Sequence, residues 1–148
     1  MVSVDVQYAV KHAALPKESD FKTWAAAISS HDEEPQEVSL RIVNEQEMQQ
    51  LNGRYRQKHC TTNVLSFPAD LHDDVDIPFL GDVIICAPVV EKEAVEQGKP
   101  LISHWAHLTV HGILHLQGYD HNNDAEAAKM EQIEIAILSR LGFNNPYI

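Results

Sequence analysis

The sequence predicts a single domain of the α/β or α+β class, spanning residues 1–148. This length is sufficient for one domain with its own hydrophobic core and too short for two. Four segments with the pattern of strands are interspersed with segments of helical periodicity, which is typical of a sheet layered with helices. No apolar run reaches the roughly 18 residues of a membrane-spanning helix, and the N-terminus lacks the pattern of a secretory signal. We therefore expect a cytoplasmic protein.

Alternating and periodic segments predict the N-terminal elements. Residues 2–8 and 37–43 alternate apolar and polar side chains, as half-buried strands do. Between them, residues 17–30 place an apolar stripe at helical spacing and predict a helix. The stripe consists of Phe21, Trp24, Ala25 and Ile28.

The middle of the chain predicts a helix followed by two strands. Asn44 is followed three residues later by Glu47, the pattern of a capping box, and the helix runs to about Tyr55. Residues 63–67 and 81–87 then read as strands, and the second is apolar enough to lie at the centre of a sheet. The order of the strands does not follow from these patterns.

Three helices are predicted in the C-terminal part of the chain. Residues 88–97 and 100–117 are each followed by a glycine, which favours the left-handed conformation at a helix end. Asn123 with Glu126 repeats the capping-box pattern ahead of a long amphipathic helix that ends at Leu141. The helix over residues 100–117 is notable for its histidines.

Five of the nine histidines lie within residues 104–121. His104, His107, His111 and His115 follow one another at intervals of three, four and four residues, so they share one face of a helix. The first and last are roughly 16 Å apart along the helix axis, too far to bind one ion. Neighbours one turn apart are close enough, so His107/His111 and His111/His115 compete as the ligand pair.

The turn after this helix favours the second pair. Gly118 allows the chain to enter a left-handed conformation and double back, which would bring His121 toward His111 and His115. Three neutral imidazoles with a fourth position open are typical of a catalytic zinc site rather than a structural one. His107, one turn away, then suits a role in supporting a ligand or facing the substrate.

Two residues of this motif bear on the reaction. Zinc peptidases with the same histidine spacing carry a glutamate directly after the first histidine, where it acts as general base. Here that position is Gly112, which points away from peptide hydrolysis. Asp120, beside the last histidine, either orients a histidine ring or caps the turn.

Four stretches of the chain, taken together, resemble a known family. HGILHLQGYDH (111–121), YRQK with TNVLSFP (55–68), LGDVIIC (80–86) and AHLTVHG (106–112) resemble the YbeY family of bacterial metal-dependent endoribonucleases. The resemblance runs in order through most of the chain. It implies a mixed four-stranded sheet with surrounding helices, and a metal site on a helix and the turn after it.

The resemblance also implies a function. It places one zinc-type ion on three histidines and a single-strand-specific endoribonuclease activity in maturing the 3′ end of the small-subunit ribosomal RNA and in ribosome quality control. The expected partners are ribosomal RNA, the small ribosomal subunit and its assembly proteins, and neither a membrane nor DNA. The implied metal ligands are His111, His115 and His121. Other divalent transition metals also suit three imidazoles.

A basic cluster lies upstream of the histidines. Arg54, Arg56 and Lys58 place three of the chain's 11 cations within five residues. By themselves, cations near a helix C-terminus more often complement its dipole. Arg56, however, matches the family's functionally important arginine, and we expect it to bind phosphate. His59 and Thr61 depart from the family pattern, which has Asp and Pro at these positions. The resemblance therefore does not predict the geometry of this loop.

These residues predict hydrolysis of RNA phosphodiester bonds at a single metal, with Arg56 and the three histidines as the catalytic residues. The ion would lower the pKa of a water molecule and polarise a phosphoryl oxygen, and Arg56 would stabilise the developing charge. The nucleophile is either this water or the RNA 2′-hydroxyl.

Two alternative functions stand beside this prediction: a metal-dependent peptidase-like hydrolase, and a non-catalytic ribosome-assembly factor with a structural metal. The net charge of −11 suits docking to a basic ribosomal protein.

Overall fold

The computed structural model describes residues 1–11, 14–28, 35–56, 62–69 and 79–148, without the side chains of Tyr55 and Arg56. Within these ranges the chain forms four strands and five helices. In chain order these are β1 (Val2–Tyr8), α1 (Glu18–Ala26), β2 (Gln36–Val43), α2 (Glu45–Arg56), β3 (Val64–Pro68), β4 (Phe79–Cys86), α3 (Ala87–Gln97), α4 (Leu101–Leu116) and α5 (Asp124–Arg140).

The four strands form one mixed sheet in the order β1-β2-β4-β3. Strand β1 pairs with β2 in parallel, β2 pairs with β4 in parallel, and β3 pairs with β4 in the antiparallel direction. Strand β4 is paired on both sides and buried along most of its length, as its apolar sequence predicted. The mixed four-stranded sheet implied by the family resemblance is therefore confirmed.

Helices cover both faces of the sheet because successive side chains of β4 point to opposite sides. Val83 and Ile85 belong to the larger core, which includes residues of α1, α4 and α5. Ile84 and Cys86 belong to a smaller cluster on the other face, where Met48 of α2 packs against them. Helix α4 lies in the larger core and contacts α1, α3, α5, β3 and β4.

Aromatic side chains join α1 to α4 in the core. The ring of Phe21 makes edge-to-face contacts with Trp24 at 5.3 Å and with Trp105 of α4 at 6.0 Å between centroids. All three side chains are almost completely buried. Helix α1 ends at Ala26, before the predicted end at residue 30, because a tighter turn begins there, in which the amide of Ile28 donates to the carbonyl of Ala25.

Side-chain caps begin two of the helices as predicted. The side-chain oxygen of Asn44 accepts a hydrogen bond from the amide of Glu47 at 2.9 Å, and that of Asn123 accepts from the amide of Glu126 at 2.8 Å. The carboxylate of Glu47 instead pairs with Arg41, so the reciprocal half of that capping box is replaced by an ion pair. Within the described ranges, no helix combines the length and apolar character that crossing a membrane requires.

Candidate metal centre

Helix α4 presents four histidines along one face, and their burial decreases toward its C-terminal end. The side chains of His104, His107 and His111 are 4%, 12% and 23% exposed. His115 is also partly exposed, and His121, beyond the helix, is exposed. The histidines near the C-terminal end of α4 are therefore the ones within reach of an ion from solvent.

The three histidines predicted as ligands lie together. The ring centroids of His111 and His115 are 6.1 Å apart, those of His111 and His121 5.7 Å, and those of His115 and His121 5.6 Å. Three imidazoles bound to one tetrahedral ion through bonds of about 2.0–2.1 Å would place their centroids about 5 Å apart. The three rings are therefore near one another but more widely spaced than around a bound ion. Among the described residues, the ligand atoms within 4.8 Å of one another belong to His115, Asp120 and His121, and separately to His107, His111 and Glu134.

The turn after α4 brings the third histidine back to the helix. Gly118 has a φ of +103°, a conformation that side-chain-bearing residues rarely adopt. The amide of Tyr119 then donates to the carbonyl of Leu114 at 3.2 Å, closing the helix end. This reversal places His121 beside His111.

The same turn fixes the orientation of His115. The carbonyl oxygen of Tyr119 lies 2.8 Å from Nδ1 of this histidine. Because a carbonyl can only accept, Nδ1 carries the proton and Nε2 keeps its lone pair for a metal. This is the arrangement a histidine ligand requires.

Asp120 supports the turn. Its Oδ1 accepts a hydrogen bond from the amide of His121 at 2.7 Å, and its Oδ2 accepts from the side chain of Asn122 at 2.6 Å. These bonds favour the turn-capping interpretation of Asp120. One of its carboxylate oxygens also lies within 4.8 Å of ring nitrogens of His115 and His121, so it lies next to the centre.

Glu134 of α5 is a site residue that the sequence patterns did not identify. It is 1% exposed, and its Oε1 lies 2.7 Å from Nε2 of His107. Both carboxylate oxygens lie 3.4 Å from Nδ1 of His111, and the hydroxyl of Tyr147 donates to Oε1 at 3.0 Å. Burial raises the pKa of this carboxyl, but the hydrogen bonds and charges of His107 and His111 outweigh burial and lower the pKa to about 2.

A signal for Glu134 is present in the sequence. On α5 it occupies the buried stripe formed by Met130, Ile137 and Leu138, at the spacing of one helix turn. A carboxylate at an apolar-stripe position is rarely buried without a partner. Its partners lie on α4, however, so only the packing of the two helices identifies them.

His107, His111 and Glu134 form a second group whose potential ligand atoms lie within 4.8 Å of one another. The 2.7 Å separation of His107 and Glu134 is that of a hydrogen bond. Two ligand atoms on one tetrahedral ion would be about 3.3 Å apart, given bonds of about 2.0–2.1 Å. The geometry therefore matches a carboxylate that accepts hydrogen bonds from histidines better than a carboxylate that binds an ion.

His104 lies away from the centre and links α4 to α3. Its Nε2 lies 3.0 Å from Oε1 of Glu93, a carboxylate that also accepts from the side chain of Asn63. Burial lowers the pKa of His104, partly offset by Glu93, so the neutral imidazole is favoured. Its role is structural.

Gly112 lies where α4 comes closest to the sheet. A Cβ atom at this position would lie 2.7 Å from Cγ1 of Val83, and the hydroxyl of Ser66 donates to the carbonyl of Gly112 at 3.0 Å. A glutamate here would overlap β4 and would not reach the imidazoles. Helix packing therefore accounts for the missing carboxylate, and this helix cannot carry the peptidase base at position 112.

The basic cluster is only partly described. Arg56 is the last residue of α2, and its side chain lies outside the described residues. Arg54 is exposed on the same helix. Lys58, His59 and Thr61 also lie outside the described residues, so the role of Arg56 stays a prediction.

Comparison with known proteins identifies the family. The family model described as endoribonuclease YbeY matches residues 6–142. The chain belongs to the YbeY family. Two YbeY relatives, each named Endoribonuclease YbeY, are similar over nearly their whole length. The protein from Nitrosococcus oceani is 47% identical over 148 residues, covering 99% of this chain and 97% of the relative. The protein from Colwellia psychrerythraea is 48% identical over 149 residues, covering 98% and 96%.

A solved structure shares the fold. The solution structure of TM1509 from Thermotoga maritima superposes with a TM-score of 0.61 and covers 96% of this chain and 92% of its own. Sequence identity between the two is 24%, so the match concerns the fold. The YbeY resemblance inferred from HGILHLQGYDH and TNVLSFP is thus confirmed at the level of family and fold.

Proposed function

We propose that this chain is a metal-dependent endoribonuclease that cleaves RNA at one zinc-type ion held by His111, His115 and His121. The observation that carries the proposal is the cluster of these three rings, with centroids 5.6–6.1 Å apart at the exposed end of α4. Membership in a family whose relatives are named endoribonucleases supports RNA as the substrate.

The chain's own residues prepare the centre. His115 donates from Nδ1 to a backbone carbonyl, and Nδ1 of His111 faces the Glu134 carboxylate, so in each ring Nε2 is the nitrogen left to bind the proposed ion. When bound, a divalent ion supplies Lewis acidity, which activates water and polarises a phosphoryl oxygen. Arg56 would bind the phosphate and stabilise the charge that develops on it.

The proton acceptor for the reaction is restricted by the fold. Position 112 faces the sheet, and the Glu134 carboxylate is buried and occupied by its donors. Two accessible carboxylates lie beside the three rings among the described residues. Both oxygens of Asp120 accept hydrogen bonds within the turn, and Glu131 is exposed on α5 in the pocket lined by His111 and His121. The attacking oxygen would be that of a water molecule or of the RNA 2′-hydroxyl, and a bound divalent ion would supply the activation that no glutamate at position 112 provides.

The biological substrate we propose is ribosomal RNA, cleaved in single-stranded regions during maturation of the 3′ end of the small-subunit RNA and in ribosome quality control. The family resemblance supports this role. With a net charge of −11, the chain must contact the RNA backbone through local cations, of which Arg54, Arg56 and Lys58 are the clearest group. Small-subunit assembly proteins are the expected protein partners.

Single-turnover cleavage of a defined single-stranded RNA tests the proposal. We expect His115→Ala to lose metal and at least a hundredfold in cleavage rate, because the ion supplies most of the activation. We expect Arg56→Ala to retain metal and lose a comparable factor, while Arg140→Ala, a charge-matched control at the exposed end of α5, stays near wild type. Metal content is measured by elemental analysis of protein purified without added metal.

Two outcomes would contradict the proposal. Full nuclease activity of His111→Ala with metal verifiably absent would exclude a metal mechanism. An inactive but folded wild type that still binds the small ribosomal subunit would favour a non-catalytic assembly factor. Purifying every variant by the same procedure controls for contaminating nuclease, because a contaminant would leave equal activity in all of them.

A further inference from the structure

We propose that Glu134 is a positioning residue of the metal centre: its carboxylate fixes the tautomer and orientation of His111, and Tyr147 holds that carboxylate in place. This inference rests on the proposed function only in taking His111 as a metal ligand. It concerns two residues outside the histidine motif, one on α5 and one in the C-terminal segment beyond that helix.

The first step is the geometry at His111. Nδ1 is equidistant, at 3.4 Å, from the two oxygens of Glu134, so an N–H group on Nδ1 points between them. An ionised carboxylate accepts and cannot donate. The proton is thereby held on Nδ1, and Nε2 is left as the nitrogen that can bind an ion.

The second step is the support of the carboxylate itself. Glu134 is 1% exposed, and a buried charge requires hydrogen-bond donors. His107 lies 2.7 Å from Oε1, and the hydroxyl of Tyr147 donates to the same oxygen at 3.0 Å. The ring of Tyr147 also packs edge-on against His107, with centroids 5.3 Å apart. The two donors hold Oε1, and in this position the carboxylate faces His111.

The third step is the contrast with His115. Its Nδ1 donates to the neutral backbone carbonyl of Tyr119, whereas that of His111 faces a full negative charge. A carboxylate partner makes an imidazole a stronger metal ligand. His111 and His115 are the two proposed ligands on α4. Of these, only His111 has a side chain as the partner of its Nδ1, so only its metal bond can be weakened by neutralising that partner through mutation.

Zinc affinity is the direct test, measured by competition with a chromophoric chelator. Glu134→Gln keeps an oxygen acceptor and removes the charge, and we expect zinc binding 10- to 100-fold weaker than wild type, as for other partners of ligating histidines. Tyr147→Phe removes one donor and should weaken binding severalfold. Glu126→Gln, an exposed carboxylate on the same helix, is the matched control and should stay within twofold. Zinc affinity of Glu134→Gln within twofold of wild type would overturn the inference.

A second readout separates positioning from loss of structure. Long-range ¹H–¹⁵N NMR of the metal-free protein should show wild-type His111 protonated on Nδ1, and a mixture of tautomers in the variants. If Glu134→Gln does not fold, Tyr147→Phe decides, and an unchanged zinc affinity with an unchanged His111 tautomer would refute the idea. Weakened zinc binding in the variants together with a wild type that cleaves no RNA would refute the proposed nuclease while upholding this inference.

Discussion

Gly112 illustrates how one residue serves both the core and the metal centre. It comes directly after His111 in the sequence, and α4 turns by about 100° per residue. The histidine therefore faces the turn and α5 while the next position faces β4, where Val83 is fully buried. A side chain at position 112 would push the helix, and with it the ligands, away from the sheet.

We predict that Gly112→Ala destabilises the protein by up to about 2 kcal/mol. Overpacking of a core costs about 1–3 kcal/mol, and the better helix propensity of alanine returns about 1 kcal/mol. The stiff, branched side chain of Val83 cannot move aside easily. Urea denaturation measures the free energy of unfolding.

A double variant provides the control for this prediction. Val83→Ala removes the contacting methyl groups, so Gly112→Ala should cost less in that background than in the wild type. An increase in the free energy of unfolding on Gly112→Ala alone would contradict the packing argument.

At this scale, the predictable part of the site is the local part. His111, His115 and His121 lie on one helix and its turn, so their spacing alone brings them together. Glu134 was missed because its histidine partners lie on another helix, 23 or more residues away in sequence. The distance between Glu134 and the histidines depends on how α4 and α5 pack, and no local sequence pattern predicts that packing.

The elements themselves follow from local patterns. Period-two alternation located β1 and β2, and side-chain caps located the starts of α2 and α5 within a residue. Ends were less well predicted, as for α1, because the last turn of a helix depends on the conformation of the residues beyond it. The start of α5 matters for the site because this helix carries Glu134 and begins only three residues after His121.

We predict that Asn123→Ala destabilises the protein by about 0.5–2 kcal/mol. Its side chain accepts the amide of Glu126 at 2.8 Å, and without it a helix-terminal donor loses its partner. Asn123→Gly is the control, because glycine at this position costs only a few tenths of a kcal/mol. Thermal denaturation of the metal-free variants measures the difference, and equal stabilities for the alanine and glycine variants would contradict a capping role.

At the scale of the whole molecule, the order β1-β2-β4-β3 was beyond the reach of the sequence patterns. Strand β3 precedes β4 in the chain but lies at the edge, antiparallel to its neighbour. Only the resemblance to a known family implied a mixed sheet, because strand order depends on long-range pairing. The core that results is continuous across β1, β2, β4 and the helices α1, α4 and α5.

We predict that the protein stays folded without metal. The core contains large, fully buried side chains such as Trp105, Phe21 and Leu40, none of which depends on an ion. Zinc at a hundredfold its Kd should add about 2.7 kcal/mol to the free energy of unfolding, and so raise the thermal midpoint by about 10 °C. Circular dichroism with chelator and with zinc measures both. A chelated protein without helical signal at 25 °C would show that the metal is needed for folding.

The graded burial of the α4 histidines determines the order in which an incoming metal ion would meet them. The side chain of His104 is buried, those of His107 and His111 are progressively more exposed to solvent, and that of His121 is exposed. An arriving ion therefore meets the outermost imidazoles before the inner one, and it can be captured stepwise as its hydration shell is exchanged.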